Sequence, residues 1–193
     1  MLILGIDPGT ATIGYGFVNI APDGSAEARA YGTIRTDRHL SMPERLKVLH
    51  EDITTLLRQY PPDVMAVEEL FFFRNVNTAI PVAQARGVLL LAAAQAGVPV
   101  VGYTPMQIKL TIAGHGRAQK LEVQEAIRDL LDLESIPRPD DAADALSVAL
   151  THWHFLEGQG GSAAPTVEIG PWAAVLPGGA DPALSQSEHE GWS

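Results

Sequence analysis

The sequence contains no cysteine, which excludes disulfide bonds, thiolate metal sites and cysteine nucleophiles. It also lacks a long apolar run: the longest, Val88 to Ala94, is far shorter than the ~20 residues that a membrane-spanning helix needs. A basic N-terminal segment of the kind that opens a signal peptide is missing, and an aspartate already stands at position 7. These absences predict a soluble protein of the cytoplasm that has no membrane partner.

Basic residues are scarce. The 193 residues include 13 Lys and Arg against 23 Asp and Glu, a formal charge of −10, which at first sight argues against binding to nucleic acid. The charge is unevenly placed, however, because residues 157–193 carry five acids and neither Lys nor Arg. Residues 1–156 therefore have a net charge of −5, and four of their acids are the candidate site residues described below. The overall charge does not exclude a nucleic-acid substrate.

The order of apolar runs, turn residues and helical repeats predicts one α/β domain followed by a tail. Strands are predicted over residues 2–7, 13–20, 28–35, 64–68 and 98–103, and helices over residues 43–60, 75–96, 105–112, 118–133 and 140–156. Three antiparallel N-terminal strands, followed by strands that alternate with helices, predict a mixed five-stranded sheet whose later strands are parallel and which helices flank. Residues 1–157 form the predicted domain. Residues 158–193, rich in Gly, Ala, Pro and acids, are predicted to be mostly disordered.

Acidic residues stand at the ends of predicted elements. Asp7 ends the first strand, Glu68 ends the fourth, and Asp141 and Asp144 begin the last helix. A buried carboxylate at such a position is costly unless a cation or a network of donors compensates it. Residues 141 and 144 are three positions apart and therefore share one face of the helix. Four acids from three distant segments predict one site for hard divalent cations.

The residues alone leave simpler interpretations open. Asp7 can stabilise a turn, and acids in the first turn of a helix commonly cap it and favour its dipole. Strand alternation puts Glu68 and Glu69 on opposite faces of the sheet, and spacing does not choose between them. Asp140 directly precedes Asp141 and raises the same question on the helix.

Four motifs follow one another along residues 1–156. They are Gly5-Ile6-Asp7-Pro8-Gly9-Thr10 with Gly14-Tyr15-Gly16, Val67-Glu68-Glu69-Leu70-Phe71 with Arg74-Asn75, Gln84-Ala85-Arg86-Gly87, and Asp141-Ala142-Ala143-Asp144-Ala145-Leu146. In this order and spacing they resemble the motifs of the RuvC-type Holliday junction resolvases, a family with the ribonuclease H-like fold. The tail, residues 158–193, lies outside the resemblance.

The resemblance implies a homodimeric, metal-dependent endonuclease that makes two symmetric nicks in a four-way DNA junction, in DNA recombination and repair. The implied cofactors are two Mg²⁺ or Mn²⁺ ions in each active site. The helix near residues 78–94 is implied to contribute to the dimer interface. A branch-migration motor complex of the RuvA and RuvB type is the implied partner.

The family's catalytic and metal-binding acids map to Asp7, Glu68, Asp141 and Asp144. This mapping favours Glu68 over Glu69, and Asp141 over Asp140. Lys120 is similar to the family lysine near the scissile phosphate, where a positive charge stabilises the transition state, and a catalytic role is expected of it.

DNA contacts are expected from three further places. Lys109 resembles a phosphate contact, and the loop that contains Gly114, Gly116 and Arg117 can offer backbone amides and a guanidinium to a phosphate. The last group consists of Phe71, Phe72, Arg74 and Asn75. Of these, Phe71 is the residue expected to stack on bases or to wedge between them at the junction.

Parts of the sequence are also compatible with three alternative functions. Asp7-Pro8-Gly9-Thr10 also looks like the first phosphate loop of ATP-binding proteins related to actin and Hsp70, but residues 1–156 are too short for the second related domain that those proteins need. A junction-binding module without catalysis is opposed by the presence of all four acids. A nuclease of the same fold that acts on RNA–DNA hybrids or on a guide-bound strand would share the metal site, and only the flanking DNA-contact segments and the dimer helix distinguish it from a junction resolvase.

Overall fold

The computed structural model describes residues 1–9, 11–69, 76–158 and 166–169. Its strands are β1 (Leu2–Asp7), β2 (Thr12–Ile20), β3 (Ala26–Arg35), β4 (Val64–Glu68), β5 (Val100–Tyr103) and β6 (Thr166–Ile169). They form one sheet in the order β3-β2-β1-β4-β5-β6. Strands β1, β2 and β3 pair antiparallel, and β4 and β5 run parallel to β1. The predicted mixed sheet, with antiparallel strands first and parallel strands later, is confirmed.

A sixth strand extends this sheet beyond the five strands that the sequence predicted. Strand β6 pairs antiparallel with β5 and covers the edge that β5 would otherwise leave open. Thr166, Val167 and Ile169 are β-branched residues, which favour extended backbone. The sequence did not predict β6, because the Gly, Ala and Pro content of the surrounding residues is typical of disorder.

Five helices complete the described part of the chain. They are α1 (Met42–Gln59), α2 (Val76–Gln95), α3 (Pro105–Ala113), α4 (Lys120–Leu130) and α5 (Asp140–Leu156), as predicted apart from small shifts at their ends. Local sequence explains both ends of α3. The Gln107 N–H donates to Thr104 Oγ1 at 3.2 Å and the Thr104 N–H donates to Gln107 Oε1 at 2.8 Å, while Gly114, with a φ of 79°, ends the helix. No helix in these described ranges is both long and apolar enough to span a membrane.

The sheet separates two layers of helices. On one face, α3, α4 and α5 pack on alternate strand residues that include Ile3 and Ala66. On the other face, α1 and α2 cover the intervening residues, which include Leu4 and Met65. Both faces are buried, which explains why β1 and β4 are apolar at nearly every position instead of alternating with polar residues.

Helix α5 lies very close to the sheet because glycines face it. A Cβ on Gly5 would stand 2.0 Å from the carbonyl oxygen of Ala145, and a Cβ on Gly14 would stand 1.9 Å from the carbonyl oxygen of Asp141. Neither position has room for a side chain. The start of α5 is therefore fixed against β1 and β2.

Candidate active site

Asp7 and Glu68 end two neighbouring strands on the same face of the sheet. Strands β1 and β4 pair in parallel, so their last residues lie side by side at one edge of the sheet, the edge formed by the carboxyl ends of the parallel strands. Alternation from Ile3 to Asp7, and from Ala66 to Glu68, puts both carboxyl side chains on the face that α5 covers. Two carboxyl groups thus converge at the carboxyl ends of parallel strands, where open α/β sheets place their sites.

Helix α5 brings the other two acids to this edge. Asp141 lies in its first turn and Asp144 lies three positions later, and the contact of Gly14 with the Asp141 carbonyl holds this end of the helix on the sheet. Both carboxylates are close enough to Asp7 to interact with it electrostatically. The helix dipole favours negative charge at this end. All four predicted acids are therefore gathered at one edge.

A cleft of about 280 Å³ opens between this edge and helices α3 and α4. It is lined by Asp7, Glu68, Pro105, Ile108, Lys109, Lys120, Val123, Asp144 and Ser147. Asp141 does not line it, although its charge reaches Asp7 and Asp144. Three carboxyl groups and two lysines thus share one cleft, a combination that suits a cation beside a phosphate.

Burial dominates the electrostatics of the two strand-end acids. Loss of solvation, followed by the charges of Asp144 and Asp141, raises the pKa of Asp7 to about 6. Loss of solvation, followed by the charge of Asp7, raises the pKa of Glu68 to about 8. The two side chains share a hydrogen bond, in which the protonated Glu68 carboxyl donates to Asp7. Their charged forms are unfavourable here unless a cation joins them.

Lys120 and Lys109 supply positive charge to the cleft. Nζ of Lys120 lies 2.9 Å from Oδ2 of Asp144 and 3.5 Å from Oδ2 of Asp140. Lys109 lines the cleft from α3, and its charge opposes the rise in the pKa of Glu68 that burial causes. Both predicted lysines are thus present in the cleft, and one contacts a predicted metal-binding acid directly.

The structure distinguishes Glu68 from Glu69. Strand alternation directs Glu69 to the opposite face of the sheet from Glu68. There its side chain packs over β5, where a Cβ on Gly102 would meet Oε1 of Glu69 at 3.0 Å. Glu68 lines the cleft and Glu69 does not. The geometry therefore favours Glu68 as the site residue.

Apart from Lys109 and Lys120, the predicted DNA contacts form two groups. Gly114, Gly116 and Arg117 form the connection between α3 and α4, outside the lining of the cleft but between the helices that carry its two lysines. A Cβ on Gly116 would stand 2.1 Å from Sδ of Met106, so this loop packs on the start of α3. The second group lies outside the described residues and comprises Phe71, Phe72, Arg74 and Asn75.

The sequence did not predict two features of the site: the position of Ser147 in the cleft, and the contact between Asp140 and Lys120. Ser147 lines the cleft one turn after Asp144, and its Oγ donates to the Asp144 carbonyl oxygen at 2.5 Å. Its spacing of three residues from Asp144 on one helix face was the available signal. The contact between Asp140 and Lys120 had no comparable signal, because the two residues belong to different helices.

The side chains of the cleft allow a test of whether divalent cations fit. Among the described residues, no three Asp, Glu or His side chains already stand close enough together to hold an ion. Glu68 shares a hydrogen bond with Asp7, and Nζ of Lys120 lies 2.9 Å from Oδ2 of Asp144. The donor chemistry nevertheless fits, because carboxylate oxygens are the ligands that hard cations prefer and buried, mutually repelling acids gain most from one. A cation bound by these acids would therefore replace the hydrogen bond between Asp7 and Glu68 and compete with Lys120 for Asp144.

Comparison with known proteins gives consistent matches over most of the chain. Residues 3–152 match the model of a family described as crossover junction endodeoxyribonuclease RuvC. A protein of that name from Syntrophomonas wolfei is 51% identical over 154 residues, which cover 80% of this chain and 89% of the relative. The structure of Thermus thermophilus RuvC matches with a TM-score of 0.77 at 39% identity, over 83% of this chain and 98% of that one. T. thermophilus RuvC in complex with Holliday junction substrate matches with a TM-score of 0.75 at 36% identity, over the same shares.

Proposed function

Since the chain belongs to the RuvC family of crossover junction endodeoxyribonucleases, we propose that its cleft cuts four-way DNA junctions by paired symmetric nicks through two-metal-ion hydrolysis. Family membership makes the chain a junction-resolving endonuclease of DNA recombination and repair. The proposal adds the residues, the cofactor and the assembly with which this chain performs the reaction.

The observation that carries the proposal is the convergence of carboxyl groups at one edge of the sheet, beside two lysines. Asp7 shares a hydrogen bond with Glu68 and interacts electrostatically with Asp141 and Asp144. Asp7 thus combines a hydrogen bond to the other strand-end acid with charge interactions to both acids of α5. This central position supports Asp7 as the ligand that two cations would share.

Asp7, Glu68, Asp141 and Asp144 are the residues that would hold two Mg²⁺ or Mn²⁺ ions. When bound, such a pair lowers the pKa of a nucleophilic water and neutralises the charge that develops on the leaving 3′ oxygen. Ile108 and Val123 line the cleft beside these acids, and apolar walls strengthen the charge interactions next to them.

Lys120 and Lys109 provide the positive charges that the phosphate meets in the cleft. Lys120 lines the cleft from the start of α4, and Lys109 lines it from within α3. An ammonium group beside the scissile phosphate stabilises the additional negative charge of the transition state. We assign this catalytic role to Lys120 and a phosphate-binding role to Lys109.

Further DNA contacts flank the cleft. Gly114, Gly116 and Arg117 would bind a phosphate from the loop between α3 and α4, whose residue Arg117 is exposed. Phe71 follows Glu68 by three positions in the sequence, and Phe72, Arg74 and Asn75 belong to the same segment. The proposed role of Phe71 is to stack on or wedge between the bases at the branch point.

Paired nicks require two copies of the cleft, and α2 offers the surface for a homodimer. An apolar stripe of its exposed residues recurs at helical spacing and consists of Ile80, Ala83, Gly87, Leu91 and Ala94, with the exposed Gln84 and Gln95 beside it. The exposed fraction is 59% for Ile80 and 51% for Leu91, so two large aliphatic side chains share this stripe. A second copy related by a two-fold axis would cover the stripe and place one cleft at each strand to be cut. A branch-migration motor complex of the RuvA and RuvB type is the partner proposed from the family resemblance.

The proposal is tested by cleavage of a labelled four-way DNA junction, alongside a linear duplex and an RNA–DNA hybrid, in Mg²⁺ or Mn²⁺. Wild type is compared with Asp7→Asn and with Asp52→Asn, which removes an exposed carboxylate on α1, on the far side of the sheet. We expect paired nicks confined to the junction in wild type and Asp52→Asn. Asp7→Asn should bind the junction but not cut it.

Other outcomes point to the alternatives. Cleavage of the hybrid in preference to the junction would retain the metal site and overturn the substrate. Junction binding without metal-dependent cleavage in wild type would indicate a binding module. Normal cleavage by Asp7→Asn would overturn the assignment of the metal site.

A further inference from the structure

Lys120 occupies a position that its own helix disfavours. It is the first residue of α4, where the partial positive charge of the helix dipole repels a cation. Its Nζ instead lies against two carboxylates at the start of α5, 2.9 Å from Asp144 and 3.5 Å from Asp140. These acids stand at the end of α5 that favours negative charge. The lysine is therefore held by the acids of the neighbouring helix.

The two partners of Lys120 differ in their surroundings. Asp144 lines the cleft, and its side chain is 28% exposed. Asp140 does not line the cleft, its side chain is 42% exposed, and it also pairs with Arg138. Asp144 is one of the four acids assigned to the metal site, whereas Asp140 is not. A cation that binds at the cleft competes with Lys120 for Asp144 and leaves Asp140 available to it.

We propose that Asp140 is a positioning residue, which retains Lys120 at the cleft when a metal ion displaces the lysine from Asp144. The inference rests on the metal site of the proposed function and adds to it a residue that none of the motifs contains. Lys120 thus serves as the counter-ion of Asp144 in the metal-free protein. With metal bound, Asp140 holds it beside the phosphate.

The geometry allows this exchange with little movement. An ammonium group carries three donors on one nitrogen. Oδ2 of Asp144 and Oδ2 of Asp140 both already lie within 4 Å of Nζ of Lys120. Release from Asp144 therefore leaves Lys120 with an existing partner. Arg138 also pairs with Asp140, so two cations hold this carboxylate at the start of α5.

The exchange has a measurable consequence for metal affinity. Because Lys120 pairs with Asp140 as well as with Asp144, its ion pair with Asp144 is weaker. A metal ion therefore competes more easily with Lys120 for Asp144. Without Asp140, the lysine pairs with Asp144 alone. Asp140→Asn should therefore raise the Mn²⁺ dissociation constant of the DNA-free protein about two- to fivefold, the range expected for an exposed ion pair. Lys120→Met removes the competitor and should lower the constant.

The decisive measurement is a double-mutant cycle with the full chain, in which Mn²⁺ binding is followed by calorimetric titration without DNA. If Asp140 acts through Lys120, Asp140→Asn has no effect on the Mn²⁺ dissociation constant in the Lys120→Met background. Glu125→Gln, which neutralises an exposed acid on α4, should leave the constant unchanged. The same rise in both backgrounds would show that Asp140 acts only through its field, and the inference would fail.

A second readout follows Lys120 itself. In saturating Mn²⁺, the rate of acylation of each lysine amine is measured by mass spectrometry, with the exposed Lys47 as the internal reference. Lys120 should react about two- to fivefold faster in Asp140→Asn than in wild type, because its remaining ion pair is lost. Equal rates would overturn the retention of Lys120 by Asp140.

The inference and the proposed function fail in different ways. If wild type binds Mn²⁺ and Asp144→Asn binds it more weakly, the metal site stands and the cycle decides the role of Asp140. If neither wild type nor the variants bind Mn²⁺, the metal site of the proposed function is wrong and the inference falls with it.

Discussion

The Tyr103 hydroxyl lies 2.7 Å from Nδ1 of His152, and both side chains are almost completely buried. This hydrogen bond joins the end of β5 to the C-terminal half of α5, the helix that carries Asp141 and Asp144. Burial lowers the pKa of His152 to about 4, against an ordinary value of 6.5. The pair therefore links acid stability of the fold to the element that positions two of the site acids.

We predict that acid destabilises the protein through His152. Between pH 6.5 and about 4, the unfolded chain binds a proton at this histidine and the folded chain does not. The free energy of unfolding should therefore fall by up to about 3 kcal/mol as the pH drops through this window, and this contribution is constant above and below it. Urea unfolding of wild type and His152→Gln across this range measures the difference.

The variant should be less stable at pH 7, because Tyr103 loses its partner, and should show a shallower decline towards pH 4. His39→Gln removes an exposed histidine in the connection before α1 and is the matched control. If His152→Gln and wild type lose stability in parallel as the pH falls, His152 is not the group responsible.

A second prediction concerns the glycine beneath Asp141. Gly14→Ala introduces a methyl group 1.9 Å from the Asp141 carbonyl oxygen, so α5 must move. We expect a loss of about 1–3 kcal/mol in the free energy of unfolding and a loss of junction cleavage in the protein that remains folded. Thermal unfolding and cleavage, normalised to folded protein, are the measurements.

Gly24→Ala is the control for that substitution. Gly24 has open space around it and a φ of 83°, so the added methyl group costs stability through the backbone alone, about 1–2 kcal/mol. Cleavage by folded Gly24→Ala should be normal. Equal cleavage by folded Gly14→Ala would mean that α5 does not need this contact to position its acids.

The third prediction separates two adjacent acids. Glu68→Gln should reduce metal-dependent cleavage by about a hundredfold or more, since even residues that only support a metal ligand commonly contribute 10- to 100-fold. Glu69→Gln should cleave at close to the wild-type rate, because the Glu69 side chain packs over Gly102 on the other face of the sheet. Single-turnover cleavage of a junction with saturating enzyme gives both rates. The reverse ranking would mean that the site uses the opposite face of β4.

The fourth prediction concerns assembly. Leu91→Glu places a charge in the exposed apolar stripe of α2 and should convert a dimer to a monomer in light-scattering measurements. Leu130→Glu changes an exposed leucine of α4, outside that stripe, and should leave the mass unchanged. A dimeric Leu91→Glu protein that still makes paired nicks would show that the chain associates through another surface.

The sequence predicted most of the fold because the signals for individual elements are local. Apolar runs predicted the first five strands. Helical repeats, capping residues and terminating glycines predicted the five helices. Strand β6 was missed because its four residues lie in a segment whose average composition indicates disorder. Short runs of β-branched residues outweigh such an average when an open sheet edge is available to pair with them.

The candidate site was only partly accessible to the same reasoning. Strand alternation predicts that Glu68 and Glu69 lie on opposite faces of the sheet. Which of these faces α5 covers depends on tertiary packing. The family resemblance supplied that choice, and the cleft agrees with it. The pairing of Lys120 with Asp140 depends on the approach of two helix starts, and no spacing along the chain encodes that distance.

The acids of the cleft come from β1, β4 and α5, so they are spread from position 7 to position 144 of the chain. During synthesis, no partial chain that ends before α5 contains more than Asp7 and Glu68 of the set, and β1 and β4 can pair only after the connection through α1 has closed. If the proposed assignment of these four acids holds, the active site cannot be assembled until the ribosome has made nearly the whole domain. Growing chains would then be unable to cut DNA until they have folded.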